Sequence, residues 1–194
     1  MRGGLVMATR SRGDGGSRIE WDKAKPDVIQ QIVREGELYL DGQLKLAISA
    51  DQRAAILAGV FTAAATGALA VLIGVAVTKD VAIVHRYPVY IGGGMTALMF
   101  LLAAALCVWA VMPVGFWLPG NPPEEWRKDV DEGKDLNSAL SEEAEHMIGK
   151  IKENRDTLKA NAWRFKWGAL IGIAAPFVGA ILWLTISSAW WFGA

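Results

Sequence analysis

One cysteine and two histidines in 194 residues leave little with which to build a metal or redox centre. The lone thiol, Cys107, has no partner for a disulfide within the chain, and no thiolate cluster can form around it. Basic and acidic side chains number 20 each, so there is no net charge. That balance argues against a nucleic-acid partner, whose polyanionic backbone calls for a basic excess. Charge is missing altogether from three stretches, residues 54–78, 89–118 and 168–194.

What fills those stretches accounts for the composition. The chain is 53% hydrophobic while still 21% charged, and its mean hydropathy is +0.26. Both groups coexist because they are segregated. Each uncharged run exceeds the roughly 20 residues that cross a bilayer core. The fold expected is therefore all-α, an integral membrane protein with three transmembrane helices. Its boundaries read as a disordered tail over 1–26, a cytosolic helix over 27–53, span one over 54–78, an external loop over 79–88, span two over 89–118, a linker over 119–136, a coiled-coil-like cytosolic helix over 137–167 and span three over 168–192. The tail carries Arg2, Arg10, Arg12 and Arg18 among Gly and Ser, with a second methionine, Met7, as an alternative start. It lacks the apolar stretch of roughly 7–15 residues that a signal peptide needs, so no cleavage is expected.

Orientation follows from lysine and arginine. Nine precede span one, two lie in the loop after it, nine lie between spans two and three, and none follows. By the positive-inside rule the N-terminus and the 119–167 segment are cytoplasmic, and the short loop and C-terminus external, in the inner membrane. Tyr87, Tyr90, Phe116, Trp117, Trp163, Trp167, Trp190 and Trp191 stand near span ends, where amphipathic rings settle.

Two charged segments read as helices running directly into spans one and three. In the first, Ile29, Val33, Leu40, Leu44 and Ala47 recur at helical spacing, Asp27 is a candidate N-cap after Pro26, and Gly36 and Gly42 are the places where a break would fall. In the second, Leu140, Ala144, Met147, Ile151, Asn154, Leu158, Asn161 and Phe165 step alternately by four and three, as coiled-coil core positions do, with the two asparagines as register-setting polar positions. The stepping continues as Gly168, Gly172, Ala175 and Gly179, small residues that let a second helix approach closely. Gly59, Ala63 and Gly67 make a comparable stripe in span one. Heptad spacing does not say whether the partner helix belongs to the same chain or to another copy. Residues 119–123, Pro-Gly-Asn-Pro-Pro, stop span two, and the charged stretch 124–134 reads as a mobile connection.

Catalytic groups are sparse. His85 falls in the external loop; His146 stands among Glu142, Glu143 and Glu145 with no second ligand of its kind at metal-binding spacing. Gly92, Gly93 and Gly94 lack the lysine and hydroxyl of a phosphate loop and fit helix packing instead. No ionisable residue occupies the middle of a span, where ion and proton pathways place them. No enzyme activity and no cofactor are expected. The charged turn ADQRA opening residues 50–59, followed by an Ala-rich span, a short loop and a return span, resembles the small bacterial transmembrane effectors of the SLATT and Pycsar kind over residues 35–119. The resemblance implies an oligomer that disrupts the inner membrane on a nucleotide signal, although this chain has a third span and no recognisable nucleotide-binding domain. The function expected is a non-enzymatic multi-pass protein that self-associates through its cytosolic helices and small-residue spans. Alternatives are a channel, or an accessory subunit of another membrane complex. The partners expected are the lipid bilayer and either further copies of the chain or another membrane protein.

Overall fold

The computed structural model describes residues 19–78 and 83–192. Residues 1–18 of the tail expected over 1–26 and residues 79–82 of the loop expected over 79–88 lie outside them, as do the side chains of His85, Arg86, Trp190 and Trp191. The described residues are helical, without a strand: α1 is Pro26–Val77, α2 Ile83–Ala110, α3 Arg127–Asp131 and α4 Leu136–Phe192, with single 3-10 turns at Trp21–Lys23 and Pro123–Trp126. Three helices, α1, α2 and α4, are long and apolar enough to cross a membrane.

Length is the most informative property of two of them. The 52 residues of α1 and the 57 of α4 give rods of about 78 and about 86 Å at ~1.5 Å per residue. A bilayer core is ~30 Å thick, so each helix has an apolar half of spanning length and a polar half that continues well beyond it. The helix in α1 is unbroken at Gly36 and Gly42. Its first position is Pro26, whose fixed φ suits a helix start, and Lys25 caps it in an extended conformation without a side-chain bond. Asp27, expected as the cap, lies inside the first turn instead, where its charge favours the helix dipole.

Span two differs from its expected limits at both ends. α2 begins at Ile83, so Pro88 lies within the helix and forfeits one bond near its start. It ends at Ala110, because Pro113 supplies no N–H and disfavours helical geometry in Met112 before it. The last turn tightens, with the N–H groups of Val111 and Met112 donating to the carbonyls of Val108 and Trp109 at 3.1 and 3.4 Å. Residues 113–118 then run without helix, and Gly120 turns the chain at φ 77°.

Contacts fix the direction of each helix. Met147 faces Gly36, Gln43 bonds Ile151 and Phe61 faces Gly172, so partner numbers rise together and α1 and α4 run parallel. α2 runs antiparallel to both, placing Phe100 on Phe61, Leu72 on Gly93, Gly179 on Gly92 and Cys107 on Gly168. The apolar core holds Ala58, Phe61, Ala103, Ala104 and Cys107, bordered by Leu57, Phe100, Phe165 and Ile171. Small residues dominate it because three helices meet there at close range.

The connection 124–134 carries more structure than a featureless linker. It contains the Pro123–Trp126 turn and α3, and Lys134 Nζ binds Asp129 at 2.9 Å and Glu142 at 2.8 Å. Both carboxylates hold the Lys134 ammonium above its ordinary value. Next to it, Asp135 starts α4: Oδ1 accepts from the Ser138 N–H at 3.0 Å and Oδ2 from the Ser138 hydroxyl at 2.7 Å, as an N-cap does. These bonds hold its carboxyl below the usual value. A depressed folded value means that the cap's contribution is complete above the unfolded value of about 3.9 and is lost as pH falls through the lower folded one. Replacing Asp135 by Ala is expected to lower the Tm at neutral pH, whereas Asp135→Asn should keep most of the cap and remove its share of the acid sensitivity. Thermal melts in detergent at pH 7 and pH 3 check both; equal acid sensitivity of all three proteins would remove Asp135 as its source.

Candidate functional site

The residues picked out by heptad spacing on α4 fall into four groups once the chain is folded. In the polar half, Leu140, Ala144, Met147 and Ile151 close on Val33 and Leu40 of α1 in a second apolar cluster, which Trp21 borders. Met147 fits there because Gly36 leaves room: a methyl group on Gly36 would overlap the Met147 sulfur. Trp21 is held in place by its indole N–H, which donates to Glu145 Oε2 at 2.9 Å. The end of the expected disordered tail therefore docks on the seam. This stretch of seam is satisfied within one chain.

Asn154 comes next and has a different partner from the one heptad spacing suggests. It is 1% exposed. Its Oδ1 accepts from the Trp117 backbone N–H and its Nδ2 donates to the Trp117 carbonyl, each at 2.9 Å. One amide side chain thus supplies both bonds that a helical neighbour would have given Trp117. The Trp117 indole N–H donates to Glu153 Oε2 at 2.6 Å, and the Lys150 ammonium lies 5.9 Å from the ring. Lys150 also donates to Asn121 and to Glu143, at 2.8 and 3.1 Å. The non-helical return of the chain is thereby strapped along α4.

Leu158, Asn161 and Phe165, half-buried, follow at the level where charge gives way to apolar surface. Asn161 accepts from Arg164 Nη1 at 2.9 Å, and that guanidinium lies 4.6 Å from the centre of the Trp109 ring, an attraction between cation and π face. Beyond them the glycines pack at backbone range. A methyl on Gly168 would stand 2.9 Å from Cys107 Sγ and 3.1 Å from the Ala103 oxygen; one on Gly172 would overlap the Phe61 ring; one on Gly179 would overlap the Thr96 hydroxyl and stand 2.8 Å from the Gly92 oxygen. Thr96 donates to its own helix at Gly92, 2.9 Å, and lies 3.5 Å from the Ala175 oxygen. Gly59 and Gly67 behave otherwise, since nothing lies within 4 Å of the position a side chain would take. They point away from the bundle.

Sequence reasoning missed the partners more than the positions. Nothing local in the sequence marks the Trp117 backbone as the mate of Asn154, although Pro113 announces that this backbone cannot stay helical. Phe61 and Cys107 likewise carry no local sign that glycines will meet them. Of the ionisable groups, His146 is exposed beside Glu142 and Glu143, and those two carboxylates are engaged by Lys134 and Lys150. Among the described residues no group of three His, Cys, Asp or Glu is placed to hold a metal ion. No family model, curated protein or solved structure matches the chain.

Replacing Asn154 by Leu removes both bonds to the part-buried Trp117 backbone, at about 0.5–1.5 kcal/mol each. A loss of roughly 1–3 kcal/mol is expected from Asn154→Leu by denaturant unfolding in micelles. Gly179→Leu should be equally damaging, because it strikes the Thr96 hydroxyl and, at 2.8 Å, the Gly92 backbone oxygen, while Gly59→Leu should leave monomer stability nearly unchanged. A tolerated Asn154→Leu would show that water satisfies Trp117 instead.

Proposed function

We propose that this chain is a non-enzymatic multi-pass protein of the inner membrane, with its N-terminus cytoplasmic and its C-terminus external, that self-associates through the outward face of span one. The observation that carries this reading is the open stripe of Gly59, Ala63 and Gly67. All three residues are exposed, and Gly59 and Gly67 have nothing within 4 Å of a side-chain position. In lipid, helix association is driven by close packing more than by the hydrophobic effect, and small residues at four-residue spacing permit it. The comparable stripe on α4 is already filled by α2 and by Phe61.

Orientation rests on the same lysine and arginine asymmetry. The charge-rich polar halves of α1 and α4 then lie in the cytoplasm and lead into spans one and three. Their shared seam packs within the chain, which supports a reading in which it holds the protomer together and the spans make subunit contact. The absence of ionisable groups in the apolar runs supports a structural or membrane-acting role over a transporter with an internal charged pathway. A membrane-acting defence effector is the biological setting suggested by the resemblance to SLATT and Pycsar effectors, and it requires an assembly of this kind. An accessory subunit would use the same open stripe on a different partner.

Light scattering of the purified protein in mild detergent tests the proposal. The expected result is a discrete oligomer that becomes monomeric in Gly59→Leu/Gly67→Leu, with unchanged helicity by circular dichroism. Ile151→Asp should instead unfold the protomer, since Ile151 borders the internal cluster. A monomeric wild type would overturn self-association, and co-purification of a stoichiometric membrane protein with that monomer would favour the accessory-subunit reading.

A further inference from the structure

A hollow of 610 Å³ opens where α1, the non-helical return after α2, and α4 meet at the border between the polar and apolar halves. Its walls are apolar, with Ala50, Val111, Phe116, Leu158 and Phe165 among them. Its charged residues are Arg53, Arg155, Lys159 and Asp51, a basic excess. Among the described residues neither Arg53 nor Arg155 has a carboxylate within ion-pair distance, and Lys159 has only Asp156 of its own helix, at 3.7 Å. Arg164 differs, being engaged by Asn161 and Trp109. A polar residue at the wall of the hollow also has its bonding incomplete. Gln43 is 7% exposed; its Nε2 donates to the Ile151 carbonyl at 3.2 Å, while its Oε1 has no partner. A buried acceptor of this kind calls for a donor.

We propose that this hollow is a binding site for an anionic glycerophospholipid whose headgroup carries a hydroxyl donor. The order of groups along the helices matches such a molecule. Farthest from the apolar half is Gln43. Next come Arg155 and Lys159, one turn apart on α4 and on either side of the level of Ser49, whose hydroxyl accepts from Arg53 Nη2 at 2.8 Å and so draws that guanidinium back toward the polar half. Phe165 and Ala54 lie nearest the apolar half. From Gln43 to Ser49 the axis advances about 9 Å, comparable to the reach from a lipid phosphate to the end of a glycerol headgroup. The phosphate meets the three cations, the headgroup hydroxyl donates to Gln43 Oε1 once the buried amide turns toward the hollow, and the acyl chains lie on the apolar wall and continue into the bilayer. Basic pockets between helices on the cytoplasmic side are a known form of anionic-lipid recognition. The site depends on the membrane placement proposed above and is independent of self-association.

Native mass spectrometry of the full chain released from detergent, with thermal melts in parallel, tests it. Phosphatidylglycerol, phosphatidylmethanol and phosphatidylcholine of identical chains are compared, with inorganic phosphate and glycerol phosphate as headgroup probes. Wild type is expected to retain phosphatidylglycerol roughly 30- to 150-fold more than phosphatidylcholine, given two or three basic contacts. Arg53→Gln/Arg155→Gln should abolish that preference while its lipid-free melt stays that of wild type, and Arg34→Gln, outside the hollow, should preserve it. Gln43→Met should erase the advantage of phosphatidylglycerol over phosphatidylmethanol, which has the charge without the hydroxyl. Equal retention of the charged and zwitterionic lipids, a preference that survives the double variant, or full stabilisation by phosphate alone would overturn the proposal. So would a dimer that excludes the lipid, which would mark the hollow as a seat for a second copy.

Discussion

A polypeptide leaving a helix beside an apolar layer must find partners for backbone groups that the helix no longer serves, because water is scarce there and an unpaired amide is costly. In this protein the departure is forced by Pro113 and answered by Asn154. The two bonds between Asn154 and Trp117 fix where the return strand lies, and hence the level at which α2 and α4 meet. The remaining α2 and α4 contacts share that register: Gly168 on Cys107, Ala175 near Thr96 and Gly179 on Gly92. A polar residue in an otherwise apolar stripe is thus an anchor within the chain.

Once that register is set, side-chain size decides how the helices pack. The α2 and α4 contact is made by glycines, alanines and a threonine, so the two backbones approach to van der Waals range, and α1 inserts Phe61 into the space that Gly172 leaves. Such packing is intolerant of added bulk, since the atoms opposite are the short or ring side chains of Cys107, Phe61 and Thr96, with the carbonyl oxygens of Ala103 and Gly92 close behind two of the glycines. The polar halves pack differently. There larger residues, Val33, Leu40, Met147 and Ile151, meet at a seam of the kind that water drives together.

The same arrangement separates inward from outward surfaces. Most of each spanning window is exposed, with only 11%, 28% and 17% buried in α1, α2 and α4, and α2 is the most enclosed of the three. What faces outward on α1 is an apolar surface interrupted by small residues. What lies at the charge border is a hollow with more cations than carboxylates. The open small-residue face of α1 and the hollow therefore fall on different surfaces of one bundle.

The sequence by itself determined the all-helical class of the fold and its three helices long and apolar enough to cross a membrane. Uncharged runs longer than a bilayer core, set against charged runs with helical periodicity, leave few other ways to satisfy both backbone and side chains. The α4 stripe was legible residue by residue, because burial on one helix face imposes a period on the sequence. Its partners were not. A period of 3.5 records that a face is covered and carries no information on what covers it, so the same spacing served for Met147 against Gly36, Asn154 against a backbone and Gly179 against Thr96. Helix limits near prolines also escaped a composition-based reading, since residues 111–118 are as apolar as the helix before them and only the geometry of Pro113 ends it. The hollow around Gln43 and Arg53 was decided by tertiary structure alone, because it is made of residues from three segments whose levels coincide only after the register of α1, α2 and α4 is fixed.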